Sequence, residues 1–75
     1  MIIEVDINTL EVSINGNKLG TTTSEKMHKC RDYARSKCEP NSRSTYYTIL
    51  DGKIASQHDI AYDVAERIMD YLLGD

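Results

Sequence analysis

Cys30, Cys38, His28 and His58 are the residues of this chain best suited to hold a metal ion or to attack an electrophile. Their spacing favours neither. On a helix, His28 and Cys30 diverge by about 200°, and Cys30 and Cys38 stand two turns apart, ~12 Å at ~1.5 Å rise per residue. The chain contains no Cys-x-x-Cys or His-x₃-His pair, the spacings from which tetrahedral zinc sites draw their ligands. A ~12 Å separation also exceeds the ~7 Å between Cα atoms that a disulfide tolerates. The two thiols are therefore expected on the packing stripe of a helix, with solvated histidines, and no metal or cofactor is expected.

A nucleophile needs a base within hydrogen-bond reach and a third group to orient that base. No Cys, Ser and His in this sequence are spaced to provide that. Glu66 and Asp70 are four apart, as paired catalytic carboxylates on a helix can be. They belong, however, to a row with Asp59 and Asp63, which reads as a wet outer face. Gly16, Gly20, Gly52 and Gly74 fall in turns and a helix cap, with no glycine-rich phosphate loop among them. The chain is read as a non-enzyme.

Charge is sorted along the sequence. Eight of the nine Lys and Arg residues lie between Lys18 and Lys53, although the chain carries a formal net charge of −3. Lys26, Lys29, Tyr33 and Lys37 line one flank of the first predicted helix, and Arg43 follows in a loop. Such a stripe can track phosphates, with Tyr33 offering a stacking face. Against it stand the overall acidity and the lack of a helix-turn-helix, RNP or KH pattern. The lysines can equally cover a thin core stripe with their aliphatic stems.

The last predicted helix points to a protein partner. Its acids Asp59, Asp63, Glu66 and Asp70 cluster within about 60°, while Ile60, Ala61, Val64, Ala65, Ile68, Tyr71 and Leu72 fill the opposing arc. Tyr62, Met69 and Leu73 extend that arc to roughly 220°, beyond the ~100° a helix needs to dock on a sheet. These three form the expected contact surface, rimmed by the four acids. A rim of carboxylates favours a basic hetero-partner over a symmetric homodimer.

The elements that must carry these surfaces are legible as follows. Apolar residues alternate in Ile3-Glu4-Val5-Asp6-Ile7 and in Leu10-Glu11-Val12-Ser13-Ile14. A turn at Asn8-Thr9 would set Ile7 against Leu10, Val5 against Val12 and Ile3 against Ile14, with Asp6 accepting turn N–H groups. Further two-residue turns are expected at Gly16-Asn17 and Asp51-Gly52, placing Ile14 beside Leu19 and Ile49 beside Ile54. The first helix is expected over about residues 23–38, opened by a capping box at Thr22-Thr23-Ser24-Glu25 and stopped before Pro40, with Met27, Cys30, Ala34 and Cys38 as its core stripe. Thr45 to Leu50 reads as a strand, and Ser56-Gln57-His58-Asp59 as the cap of a last helix ending at Gly74.

The predicted architecture is one α+β domain spanning residues 1–75. It has a mainly antiparallel sheet of about five strands, two helices on one face and the order ββ-βα-ββα. Ile3, Val5, Val12, Ile14, Ile49, Ile54, Val64 and Ile68 are its expected core. A shift of 35 residues lays one hairpin-helix unit over the other and suggests an internal duplication. No signal peptide and no membrane span is legible, and two unbridged cysteines suit a cytoplasmic protein. The expected function is protein binding, in the manner of the small modulators and inhibitors that phages and mobile elements direct at host nucleic-acid-processing or defence complexes. Direct nucleic-acid binding through the basic flank is the alternative.

Overall fold

The alternation in the first 14 residues produces the hairpin it implies. In the computed structural model, which describes residues 1–74, β1 (Ile2–Asp6) and β2 (Glu11–Ile14) pair antiparallel with Val5 opposite Val12 and Ile3 opposite Ile14. This register puts all four branched side chains on one face. The Asp6 carboxylate accepts the Asn8 N–H at 2.8 Å and the Thr9 N–H at 3.2 Å, as an Asx turn does. The connection is longer than a two-residue turn: Leu10 donates its N–H to the Asp6 carbonyl at 2.7 Å and takes φ 62°. Ile7 leaves the hairpin and donates to the Ile49 carbonyl at 2.8 Å, so Ile7 and Leu10 are not a cross-strand pair.

The next hairpin, from β2 to β3 (Asn17–Thr21), turns one residue earlier than the sequence suggested. Asn15 and Gly16 take φ 51° and 86°, the paired positive values of a type I′ turn. Ile14 therefore faces Asn17, not Leu19, and a bulge beside Val12 brings Gly20 opposite that residue. In the hairpin of β4 (Ser44–Leu50) and β5 (Lys53–Ile60), Asp51 and Gly52 turn with φ 53° and 78°, and Ile49 faces Ile54 as expected. With one turn displaced, the 35-residue superposition falls out of register, and the duplication gains no support.

The strand order is β3-β2-β1-β4-β5, and the sheet is mixed rather than mainly antiparallel. β1 and β4 run parallel, with Ile3 beside Tyr46 and Val5 beside Thr48. The cause is α1 (Ser24–Ser36). The first three strands alternate in direction, and the helix then carries the chain back to the end where β1 began. The following strand must then run parallel to β1. Thirteen helical residues reach ~20 Å, about one strand length of six residues, so a single pass is enough.

α1 starts at Thr23, whose hydroxyl accepts the Lys26 N–H at 3.2 Å. Glu25 does not complete a capping box; it pairs with Lys29 at 3.0 Å, one turn along. The helix ends at Ser36, before the expected residue 38. Cys38 consequently lies outside it, exposed and bridged to Ile60, while Met27, Cys30 and Ala34 form the buried stripe.

Strand β5 overrides the expected helix cap. Pairing with β4 runs from Leu50–Lys53 to Ser44–Ile60, interrupted by one bulge between Thr48 and Ile49, and Ser56 to Asp59 all pair within it, so the Ser56-Gln57-His58-Asp59 backbone is already satisfied in the sheet. Asp59 and Ile60 are thus strand residues. α2 (Tyr62–Leu73) begins after Ala61, which gives it no side-chain cap.

One apolar cluster joins Ile3, Val5, Val12, Ile14, Tyr46 and Ile60 of the sheet to Met27, Cys30 and Ala34 of α1 and Val64, Ala65, Ile68 and Leu72 of α2. Both helices therefore cover the same face. Ile49 and Ile54, expected in this core, lie on the other face: the alternation that turns Tyr46 and Thr48 inward turns Ile49 outward, and its partner Ile54 is 59% exposed. Tyr46 fills the vacated role. It is fully buried and donates its hydroxyl proton to the Met27 carbonyl at 3.1 Å. No helix among the described residues is long and apolar enough to cross a membrane.

Candidate functional site

The uncovered face of the sheet is built from the outward half of each strand's alternation. β1 contributes Glu4 and Asp6, β2 Glu11 and Ser13, β3 Lys18 and β4 Ile49, and these six line a shallow hollow of about 190 Å³. Lys18 reaches Glu11 at 3.3 Å, which leaves Glu4 and Asp6 as the uncompensated charges of the hollow. Tyr47, beside Glu4 in the sheet, and the Ile49–Ile54 pair extend the surface with apolar area. Asp59 lies on the same face, accepting the Thr45 hydroxyl at 3.1 Å. At one end, Asn8 donates to the Asp51 carboxylate at 2.9 Å and ties the first hairpin loop to the turn of the second.

The flank predicted on the last helix is divided. Tyr62 is 60% exposed, whereas Met69 and Leu73 are half-buried and lean against the core. Leu73 sits so close to β3 that a Cβ added at Gly20 would come within 3.2 Å of its Cδ2. Asp63, Glu66 and Asp70 are exposed on α2. Asp59 does not join them, because it is in β5 on the opposite side of the molecule. The row of four carboxylates is a row of three.

Three of the five residues expected to contact phosphate, Lys26, Lys29 and Tyr33, already have partners. The Lys26 ammonium donates to the Gly74 carbonyl at 2.6 Å and lies 5.7 Å from the Tyr71 ring centroid. The hydrogen bond from Lys29 to Glu25 is the first cause of a Lys29 pKa above the ordinary lysine value. Arg67 donates to the Tyr33 hydroxyl at 3.2 Å, and this bond is the main reason its guanidinium is held above its usual value. Lys37 caps the end of α1, and Arg43 is exposed in the loop before β4. Between the helices runs a groove of about 290 Å³ lined by Lys29, Cys30, Tyr33, Arg67, Ile68 and Tyr71. Reading each helix alone misses this groove, since its walls come from both.

Cys30 is buried, and burial pushes its thiol up to about 11, the opposite of what a nucleophile requires. His28 is exposed. His58 was expected to be solvated at a helix start, but it is half-buried in β5 opposite Tyr46. Its Nδ1, together with Arg31 Nε and Thr22 Oγ1, is buried without a hydrogen-bond partner. Among the described residues, no three of His, Cys, Asp and Glu converge as ligands of a metal ion would. No protein-family model matches the chain, and neither a curated protein nor a solved structure matches it significantly.

Proposed function

We propose that this chain is a non-enzymatic protein-binding module that docks a basic partner on its uncovered sheet face. The observation that carries the reading is the composition of that face. Glu4 and Asp6 on β1, with the Lys18-paired Glu11 on β2 behind them, border one side of an apolar strip of Tyr47, Ile49 and Ile54 on β4 and β5, the last of them 59% exposed. Exposed branched residues gain by being covered, and carboxylates beside them select a positively charged surface and repel a second copy of the same face. The molecule's extents of 29 × 27 × 22 Å inscribe an outline of roughly 600 Å², somewhat below the ~800 Å² per partner of a standard interface. A partner must therefore cover nearly the whole face, and Tyr62 on α2 is available at its periphery only to a partner that wraps.

Basic surfaces of this extent are typical of proteins that handle nucleic acid. The chain then acts as a small modulator or inhibitor that competes with nucleic acid for its target, and two free thiols suit a cytoplasmic setting. Direct nucleic-acid binding through Lys26, Lys29, Tyr33, Lys37 and Arg43 has less support, because Lys26 and Lys29 are engaged within the protein. The test compares proteins captured by the immobilised wild type with those captured by the double variant Glu4→Lys, Ile54→Lys. A protein held by the wild type, displaced by added DNA and lost with the variant supports the reading. Identical capture by both overturns it.

A further inference from the structure

We infer that the groove between α1 and α2 is a binding site for a small aromatic carboxylate, independent of the sheet face. The groove measures about 290 Å³, at the lower edge of the ~300–1,000 Å³ typical of small-molecule sites, so it fits one or two rings and no more. Its floor is apolar, made by the buried Cys30 and Ile68, and the rings of Tyr33 and Tyr71 flank it. Flat rings on both sides of an apolar floor favour an aromatic guest over an aliphatic chain.

The charged residues that line the groove are Lys29 and Arg67, both cations, and no carboxylate lines it. Glu25 draws Lys29 from outside the groove at 3.0 Å, and Asp63 lies close enough to Arg67 to act on its charge. A guest carboxylate placed at the rim can accept from the Arg67 guanidinium, whose fork retains free N–H groups beyond the one given to Tyr33. Recognition thus divides into a ring held by Tyr33, Tyr71 and Ile68 and an anion held by Arg67, with Lys29 adding field.

The probes are 2-naphthoate and its uncharged counterpart 2-naphthamide, titrated separately into ¹⁵N-labelled full-length chain. Saturable shifts confined to residues around Lys29, Tyr33, Arg67 and Tyr71 are expected with 2-naphthoate, with at least tenfold weaker binding of 2-naphthamide. Arg67→Glu should weaken 2-naphthoate binding at least tenfold and 2-naphthamide binding far less, by no more than the loss of the Arg67–Tyr33 contact accounts for, whereas Tyr71→Ala should weaken both. Both positions are solvent-exposed, and an unchanged spectrum elsewhere verifies the fold of each variant. Equal binding of the two probes, shifts centred on another surface, or no saturation at millimolar probe would overturn the assignment.

Discussion

Replacing Tyr46 by Phe separates two effects of one buried hydroxyl. Tyr46 is fully buried on β4, and its hydroxyl donates to the Met27 carbonyl at 3.1 Å. The substitution keeps the ring and removes the hydrogen bond, which should cost about 1 kcal/mol near neutral pH. For a domain of this size, that is a drop of roughly 4–8 °C in Tm. At alkaline pH the order changes. Burial raises the pKa of the folded Tyr46 well above its unfolded value of about 10. The folded state therefore keeps its proton where the unfolded state loses it, and wild-type stability falls by about 1.4 kcal/mol per pH unit above pH 10. The Phe variant has no such loss at this position, and the alkaline contribution of Cys30 is common to both proteins. The two stability curves should meet near pH 11. Urea unfolding followed by far-ultraviolet circular dichroism at pH 7, 9 and 10.5 measures the difference. A deficit that stays constant with pH, or a variant as stable as wild type at pH 7, would show that the hydroxyl is neither buried nor bonded as described.

Thiol chemistry should distinguish the two cysteines: with iodoacetamide at pH 8, Cys38 should react readily, and Cys30 should be protected until the chain unfolds, because it is buried with its thiol near 11. Equal labelling of Cys38→Ala and wild type under native conditions would refute this. Gly52→Ala should destabilise by ~1–2 kcal/mol, since Gly52 takes φ 78°. Gly20→Ala should cost less, because the added methyl meets only the flexible end of Leu73 at 3.2 Å; chemical denaturation showing the reverse order would count against both local geometries.

The sequence made visible whatever depends on local alternation. Ile3, Val5, Val12 and Ile14 came out on one face in the expected register because a one-residue slip would have exposed all four. It did not reveal which way a strand runs after a helix, so the parallel neighbour of β1 was missed. Ser56 to Asp59 has the composition of a cap, and β4 nevertheless holds it as strand because long-range pairing outweighs a weak local preference. That one reassignment moved Asp59 away from the α2 carboxylates. Ile49 and Ile54 were paired correctly but assigned to the wrong side, since nothing local says which face of a hairpin the helices will cover. The acidic hollow follows from that choice, and neither it nor the Arg67–Tyr33 contact across the helices is periodic in the sequence.

The parallel pairing of β1 with β4 also governs when the molecule can form. Ile2 and Thr45 are neighbours in the sheet but 43 residues apart in the chain, and β1 lies at the centre of the strand order. The closure entropy of so long a loop must be met before the contact stabilises anything. Folding of this small domain should consequently be slow for its length. On a ribosome, the first hairpin and α1 would emerge with one edge of β1 unpaired and its apolar face only half covered. They would wait there until β4 had left the exit tunnel, and through that interval the open edge of β1 would be free to pair elsewhere.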